Sequence, residues 1–215
     1  MLIMKTGSKA PFILSLAGGL AVLLLAAGCS DPADGVHKAA ATDPARTATD
    51  PGVAGKVYAL DSGSTISFVG SKVTGSHDGG FRQFSGEIKV DGGKILAGSE
   101  IRIDMDSTWS DNDRLTGHLK SADFFEVETY PESTFTVTSV VSAGAEHTVT
   151  GNLTLHGVTK SISFPAEIQL TDEAVTVRAE FAINRKDFDI HYPGRPDDLI
   201  RDNVVIKLDV SAKPV

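Results

Sequence analysis

Between Gly86 and Ala212 the chain alternates apolar and polar residues with a period of two, segment after segment. Ile88 and Val90 oppose Glu87 and Lys89. Ile101, Ile103 and Met105 oppose Arg102, Asp104 and Asp106. Val149, Gly151, Leu153 and Leu155 oppose a row of Thr, Asn and His. Ile162, Phe164, Ala166, Ile168 and Leu170 share one face, as do Val175, Val177, Ala179, Phe181 and Ile183, and Val204, Ile206, Leu208 and Val210. Successive side chains of a strand point to opposite sides of a sheet, so this pattern specifies antiparallel strands with one dry face and one wet face. Turn signals (DGG at 91–93, HGVT at 156–159, TDE at 171–173) separate the segments. Several strands run near ten residues, which spans about 33 Å at about 3.3 Å per residue. Long antiparallel strands in sequence order predict an up-and-down barrel, which removes exposed edges by closure. An open sandwich is the alternative. About eight strands leave a bore wide enough for one small ligand, and this one would be deep and narrow. Gly70, Gly86, Gly151, Ala166 and Ala179 are small at inward positions and point to empty space within it.

One stretch departs from the period. In NDRLTGHLKSADFFEVETYP (112–131), Leu115, His118, Leu119 and Ala122 recur at three and four residues, the spacing of one helix face. A short helix near 113–122 is predicted, followed at once by Phe124 and Phe125.

The N-terminal region has a different character. Lys5 and Lys9 precede an apolar run over 10–27, which ends in Ala26-Ala27-Gly28-Cys29. A basic start, an apolar middle and small residues at a cleavage point make a secretory signal. The small-then-Cys ending resembles a bacterial lipobox, although Ala26 stands where Leu is usual. Residues 1–28 are therefore read as a lipoprotein signal peptide and Cys29 as the lipid-modified first residue of the mature chain. An uncleaved membrane helix is the competing reading. Cys29 is the sole cysteine, so no internal disulfide can form. Residues 29–55 carry almost no large apolar side chain and are expected to be a disordered tether. The domain then occupies 56–215. Without residues 1–28, Lys+Arg falls from 20 to 18 against 28 Asp+Glu, a formal net charge of −10. Such a chain gains nothing from phosphate counterion release, which argues against nucleic acid as a partner.

The segments SHDGGFRQFSGEI (76–88), GHLKSADFFEVETYPESTF (117–135), GNLTLHGVTKSISFP (151–165), FAINRKDF (181–188) and IRDNVVIKLDVSA (200–212) resemble, in order, the YceI-like polyisoprenoid-binding family. The resemblance implies an all-β, elongated, lipocalin-like antiparallel barrel with its short helix near the mouth. It also implies a periplasmic or secreted protein that binds isoprenoid-tailed lipids such as polyprenyl phosphates or quinones. Two positions depart from the family pattern: Thr116 stands where Asp is common, and Asp189 where Gly is common.

Ligand contacts are expected from His118, Phe124, Phe125, Arg185 and Phe188. His118 either donates to a phosphate or quinone oxygen or bonds a neighbouring backbone group. Phe124 and Phe125 either grip prenyl groups or pack in the core. Arg185, between apolar residues and Phe188, needs partners if buried: Asp123, Asp187 or a ligand headgroup. The loop HYPGRPDD (191–198) either rims the opening or simply connects two strands. Catalysis has little support: there is no His pair at metal-ligand spacing and no GxSxG elbow. No cofactor is expected beyond a bound isoprenoid lipid or quinone. Two functions compete. One is a lipid-anchored barrel, monomer or homodimer, that faces the periplasm, with the outer membrane preferred, and stores, carries or protects an isoprenoid lipid. The other is a structural or stress-protective envelope lipoprotein with a filled core.

Overall fold

A computed structural model of the chain describes residues 30–47, 55–144 and 146–215. The expected signal segment (residues 1–28) and Cys29 lie outside them. The alternating segments form the strands anticipated for them, and the longest are staves that share one interior. The first stave is β1 (Lys56–Leu60) continued by β2 (Thr65–Lys72). The second is β3 (Gly75–Phe81) continued by β4 (Phe84–Asp91), with a two-residue companion β5 (Lys94–Ile95). The third is β6 (Glu100–Asp104), a 3-10 turn at Met105–Ser107, and β7 (Thr108–Ser110). Five further staves follow the same plan. They are β8 (Glu132–Ala143), β9 (Glu146–Leu155), β10 (Val158–Leu170), β11 (Val175–Asn184) and, after a small hairpin of β12 (Gly194–Arg195) and β13 (Asp198–Leu199), β14 (Asn203–Pro214). Each stave pairs with its sequence neighbours. β14 returns to β1 and β2, which closes an eight-stave antiparallel barrel.

Closure is incomplete near one end, the mouth, and two pieces of chain complete it there. Beyond Asp104 the third stave no longer pairs with β8. The gap is covered by α1 (Asp113–Lys120) and the turns that follow it. Asn112 caps this helix by accepting the Leu115 N–H at 3.0 Å, and Thr116 Oγ1 accepts the Ser110 N–H at 2.9 Å, which ties the helix to β7. Thr116 thus has a local structural task. Leu119 turns inward and is buried.

The second gap corrects the expected tether. β10 and β11 pair only at Glu167–Leu170 with Val175–Arg178 and diverge toward the mouth. Residues 37–42 fill the opening as a short extra stave. Ala39 N–H donates to Ala182 O (2.8 Å), Ala182 N–H to His37 O (2.7 Å), and Thr42 and Ser161 exchange backbone bonds at 2.9 and 3.0 Å. Ala39 is buried in the main core and Ala41 packs against it, while Lys38, Ala40 and Thr42 are exposed. Further along, Asn152 binds Ala45 through both its amide oxygen and its amide nitrogen (2.9 and 2.7 Å). Ala33 is buried against Ala182 and Val205. Residues 30–47 are therefore a strap on the mouth half of the barrel. Composition concealed this because the strap needs little apolar area. Its backbone groups satisfy the unpaired edges of two diverging strands, and only a small side chain fits the seam.

The inward glycines are also not simply empty positions. A Cβ on Gly151 would lie 2.3 Å from the Phe135 ring, and one on Gly79 would lie 2.4 Å from the Phe68 ring. Each glycine gives room for an aromatic ring from the next strand to lie flat across it. Gly70, by contrast, faces open space.

Candidate functional site

The inward faces of the staves border three adjoining spaces. At the mouth is a vestibule of about 730 Å³, bordered by Lys72, His77, Arg114, His118, Tyr192 and Arg195. Below it lies a chamber of about 170 Å³, and deeper still a pocket of about 50 Å³. Phe68, Leu119 and Phe124 border both vestibule and chamber, and Phe135 and Phe164 border both chamber and deep pocket. The chamber is walled almost wholly by aliphatic and aromatic side chains. Among the described residues, Arg185 and Arg201 are the only ionisable side chains on its border. A polar entrance above a dry bore suits an amphiphile with one polar end and a long apolar body.

The aromatic residues are arranged in tiers. Phe68, Phe81 and Phe125 form one cluster, with ring centroids 5.7 to 6.2 Å apart. Deeper, Phe164 stacks on Phe181 at 4.0 Å and touches Phe135 at 5.6 Å. Phe164 and Phe181 come from the two strands that diverge beside the strap. At the mouth, His118 stands edge-on to Phe124 and Tyr192, each at 5.0 Å.

The five expected site residues divide. Phe124 and Phe125 both line the chamber, and Phe124 also faces the vestibule. His118 borders the vestibule, and its ring is held by a carboxylate rather than by the anticipated backbone group. Its Nε2 lies 2.7 Å from Asp123 Oδ2, which fixes the ring across the mouth. Phe188 is fully buried in the core and lines neither chamber nor vestibule, so a direct ligand contact is not supported there. It follows Arg185 in a 3-10 turn, Arg185–Phe188, that ends at Asp189. Asp189 adopts φ +57°, the left-handed conformation that glycine takes most easily, which accounts for the family's preference at this position.

Arg185 meets neither Asp123 nor Asp187. Its side chain is buried, and it donates from Nη1 to Ile190 O (2.7 Å), from Nε to Arg201 O (3.1 Å), and from Nη2 to Ile200 O and Asp202 Oδ1 (both 3.4 Å). It thereby clamps both ends of the loop between β11 and β14. Burial pushes its pKa down and Asp202 pushes it back up. The loop itself rims the opening: Tyr192, Gly194, Arg195 and Asp198 border the vestibule. Asp198 bonds Lys72 and Thr74 across the rim, and its carboxyl is held below the usual range, first by the Lys72 bond.

Sequence reasoning missed Phe68, Phe81 and Tyr192. The first two sit in the short alternating pieces TISFVG and GGF, and Tyr192 sits in the loop whose rim position was left open. Among the described residues no cluster of three or more His, Cys, Asp or Glu is placed to hold a metal ion.

Comparison with known proteins agrees with this architecture. The YceI-like domain matches residues 58–212. A UPF0312 protein of Pseudomonas putida (strain W619) is 34% identical over 173 residues, covering 74% of this chain and 85% of that protein. Protein YceI of Escherichia coli O157:H7 is 37% identical over 120 residues, covering 52% of this chain and 62% of that protein. Among solved structures, Burkholderia cenocepacia BcnA superposes with a TM-score of 0.63 at 25% identity, covering 72% of this chain and 99% of that one. A polyisoprenoid binding domain from Saccharophagus degradans shares the fold with a TM-score of 0.61 at 23% identity, covering 74% of this chain and 98% of that one. With the closed barrel, the mouth helix and a domain match across nearly all of the staves, the chain belongs to the YceI-like family.

Proposed function

We propose that the protein binds an isoprenoid-tailed lipid, of the polyprenyl phosphate or quinone type, with the tail in the bore and the head in the vestibule. It acts as a binding module without catalysis. The observation that carries this reading is the sequence of spaces: a polar mouth, a dry aromatic-lined chamber, and a deeper apolar pocket, each sharing walls with the next. Family membership supports it, as does the fold shared with a domain described as polyisoprenoid binding. Tail burial supplies most of the affinity because hydrophobic stabilisation scales with the apolar area removed from water. The vestibule's cations and hydroxyls then select the head.

The reading places the protein at the bacterial envelope, anchored through acylated Cys29 and facing the periplasm, preferably on the outer membrane. Its role there is storage, transport or protection of the lipid. The basic start, the apolar run and Ala26-Ala27-Gly28-Cys29 support the anchor. Native mass spectrometry of protein purified from a bacterial envelope tests the binding claim. A retained mass matching an isoprenoid lipid supports it. A clean apo mass that is unchanged after incubation with prenyl lipids would instead favour an envelope lipoprotein whose aromatic tiers simply fill the core.

A further inference from the structure

Three features gather at one end of the barrel. The first is where the strap begins. Asp31 lies 3.4 Å from Arg201, which borders the chamber, and Ala33 is buried against Ala182 and Val205. The chain thus joins the fold at the mouth. Cys29 precedes Asp31 by two residues, a reach of about 7 Å at about 3.5 Å per extended residue. The second is a pair of exposed apolar side chains. Val73 is 55% and Leu199 50% exposed, although most large apolar side chains among the described residues are covered. They stand on different mouth loops, joined by a bond from Val73 N–H to Leu199 O of 3.1 Å. The third is the surrounding charge. Lys72, Arg114 and Arg195 border the vestibule beside one carboxylate, Asp198, and Asp111 and Asp123 bond its His77 and His118. The rim is mixed in sign although the chain as a whole is acidic, so it meets less repulsion from an anionic surface than a uniformly acidic face would.

We propose that the mouth face docks on the lipid bilayer, with Val73 and Leu199 at the contact and the short Cys29–Asp31 span holding it there. The bore then opens toward the membrane, and a lipid tail moves between bilayer and chamber without crossing water. Two apolar side chains are a weak membrane signal alone. An anchor so close to them makes the contact effectively intramolecular, which is where a weak contact suffices. The strap's fixed course along the mouth half is what separates this arrangement from a barrel swinging on a loose tether. The inference rests on the acylated Cys29 of the preceding reading.

The test uses the full chain, processed in a bacterial host and reconstituted in phosphatidylethanolamine–phosphatidylglycerol vesicles that contain a lipid-borne fluorescence quencher. Val73→Cys, Leu199→Cys and Val141→Cys each receive a fluorophore; Val141 is an exposed apolar residue near the opposite end of the barrel. Docking predicts strong quenching at 73 and 199 and none at 141. A flexible Gly/Ser insertion of about twelve residues between Ser30 and Asp31 should erase the difference while the thermal transition stays in place. Equal quenching at all three positions, or stronger quenching at 141, overturns the orientation and leaves the anchor intact. A wild-type chain that fractionates as soluble, with an unmodified Cys29 by mass, overturns the anchor and the orientation with it.

Discussion

Arg185→Met separates a structural clamp from a headgroup contact. Methionine keeps most of the aliphatic length and removes every donor. The carbonyls of Ile190 and Arg201, now served at 2.7 and 3.1 Å, lose their partners, and two weaker contacts at 3.4 Å go with them. Hydrogen bonds to a charged group contribute about 1.5–3 kcal/mol each, so the two short ones together account for about 3–6 kcal/mol. Water reaching the loop recovers part of this, because Asp202 is 41% exposed. A net loss of about 3–5 kcal/mol is expected, the range for breaking a buried ion pair. Against a typical total of about 5–15 kcal/mol, the variant should fold but marginally. Urea unfolding followed by circular dichroism measures the loss, and hydrogen exchange locates it. The amides of Ile190, Ile200 and Arg201, bonded to Arg185 O, Pro193 O and Ser71 O, should lose protection first. A stability within about 1 kcal/mol of wild type, with those amides still protected, would refute the clamp. Should such a variant also lose affinity for phosphate-headed but not neutral ligands, Arg185 is a headgroup residue instead.

Gly151→Ala should cost about 1–3 kcal/mol by overpacking, since the new Cβ would meet the Phe135 ring at 2.3 Å and Thr136 O at 2.7 Å. Thermal melts should show part of that cost removed in a Phe135→Leu background. Asp189→Gly should stabilise by up to about 1 kcal/mol, because a left-handed non-glycine residue is strained, and the exposed Asp189–His191 pair it removes contributes little. Asp198 and Asp61 have folded pKa values below their unfolded ones, Asp198 chiefly through Lys72 and Asp61 chiefly through the Gly63 N–H and then Lys213. Their stabilisation is therefore complete above the unfolded carboxylate pKa of 3.8 and is lost as pH falls through the folded values. Tm should show no pH dependence from them between pH 7 and 5 and should decline in stronger acid, with a shallower decline in Asp198→Asn.

Six of the eight staves were legible because alternation fixes both the strand and the face it buries, whereas the first stave and β8 entered only through the expected count of about eight. A single-residue slip would put Ile162, Phe164 and Ile168 in water. The helix was legible for the same kind of reason, although it stops at Lys120 and leaves Ala122 beyond its end. The strap was not legible. Its stability comes from backbone bonds to β10 and β11 at a place where those strands diverge, and no local pattern in residues 30–47 reports that divergence. Within the site, Phe124 and Phe125 were identifiable from their position after the helix. Phe188 and Arg185 were ambiguous for one physical reason: an apolar and charged cluster at a strand end serves equally to bind a ligand or to pin a loop, and nothing in the sequence places the Ile190, Ile200 and Arg201 carbonyls that Arg185 holds. Glycines at inward positions carried a similar ambiguity, which the flat rings of Phe135 and Phe68 resolve.

The central claim is that the bore takes an isoprenoid tail, and a titration across prenyl lengths with one constant headgroup tests it most directly. Burying one five-carbon unit gives roughly 3 kcal/mol gross at about 25 cal/mol per Å², less the cost of ordering a flexible chain. Affinity should rise with each added unit until chamber and deep pocket are filled, then level off. Phe164→Trp, at the junction of those two spaces, should move the plateau to shorter tails. An affinity that does not depend on prenyl number would contradict the account.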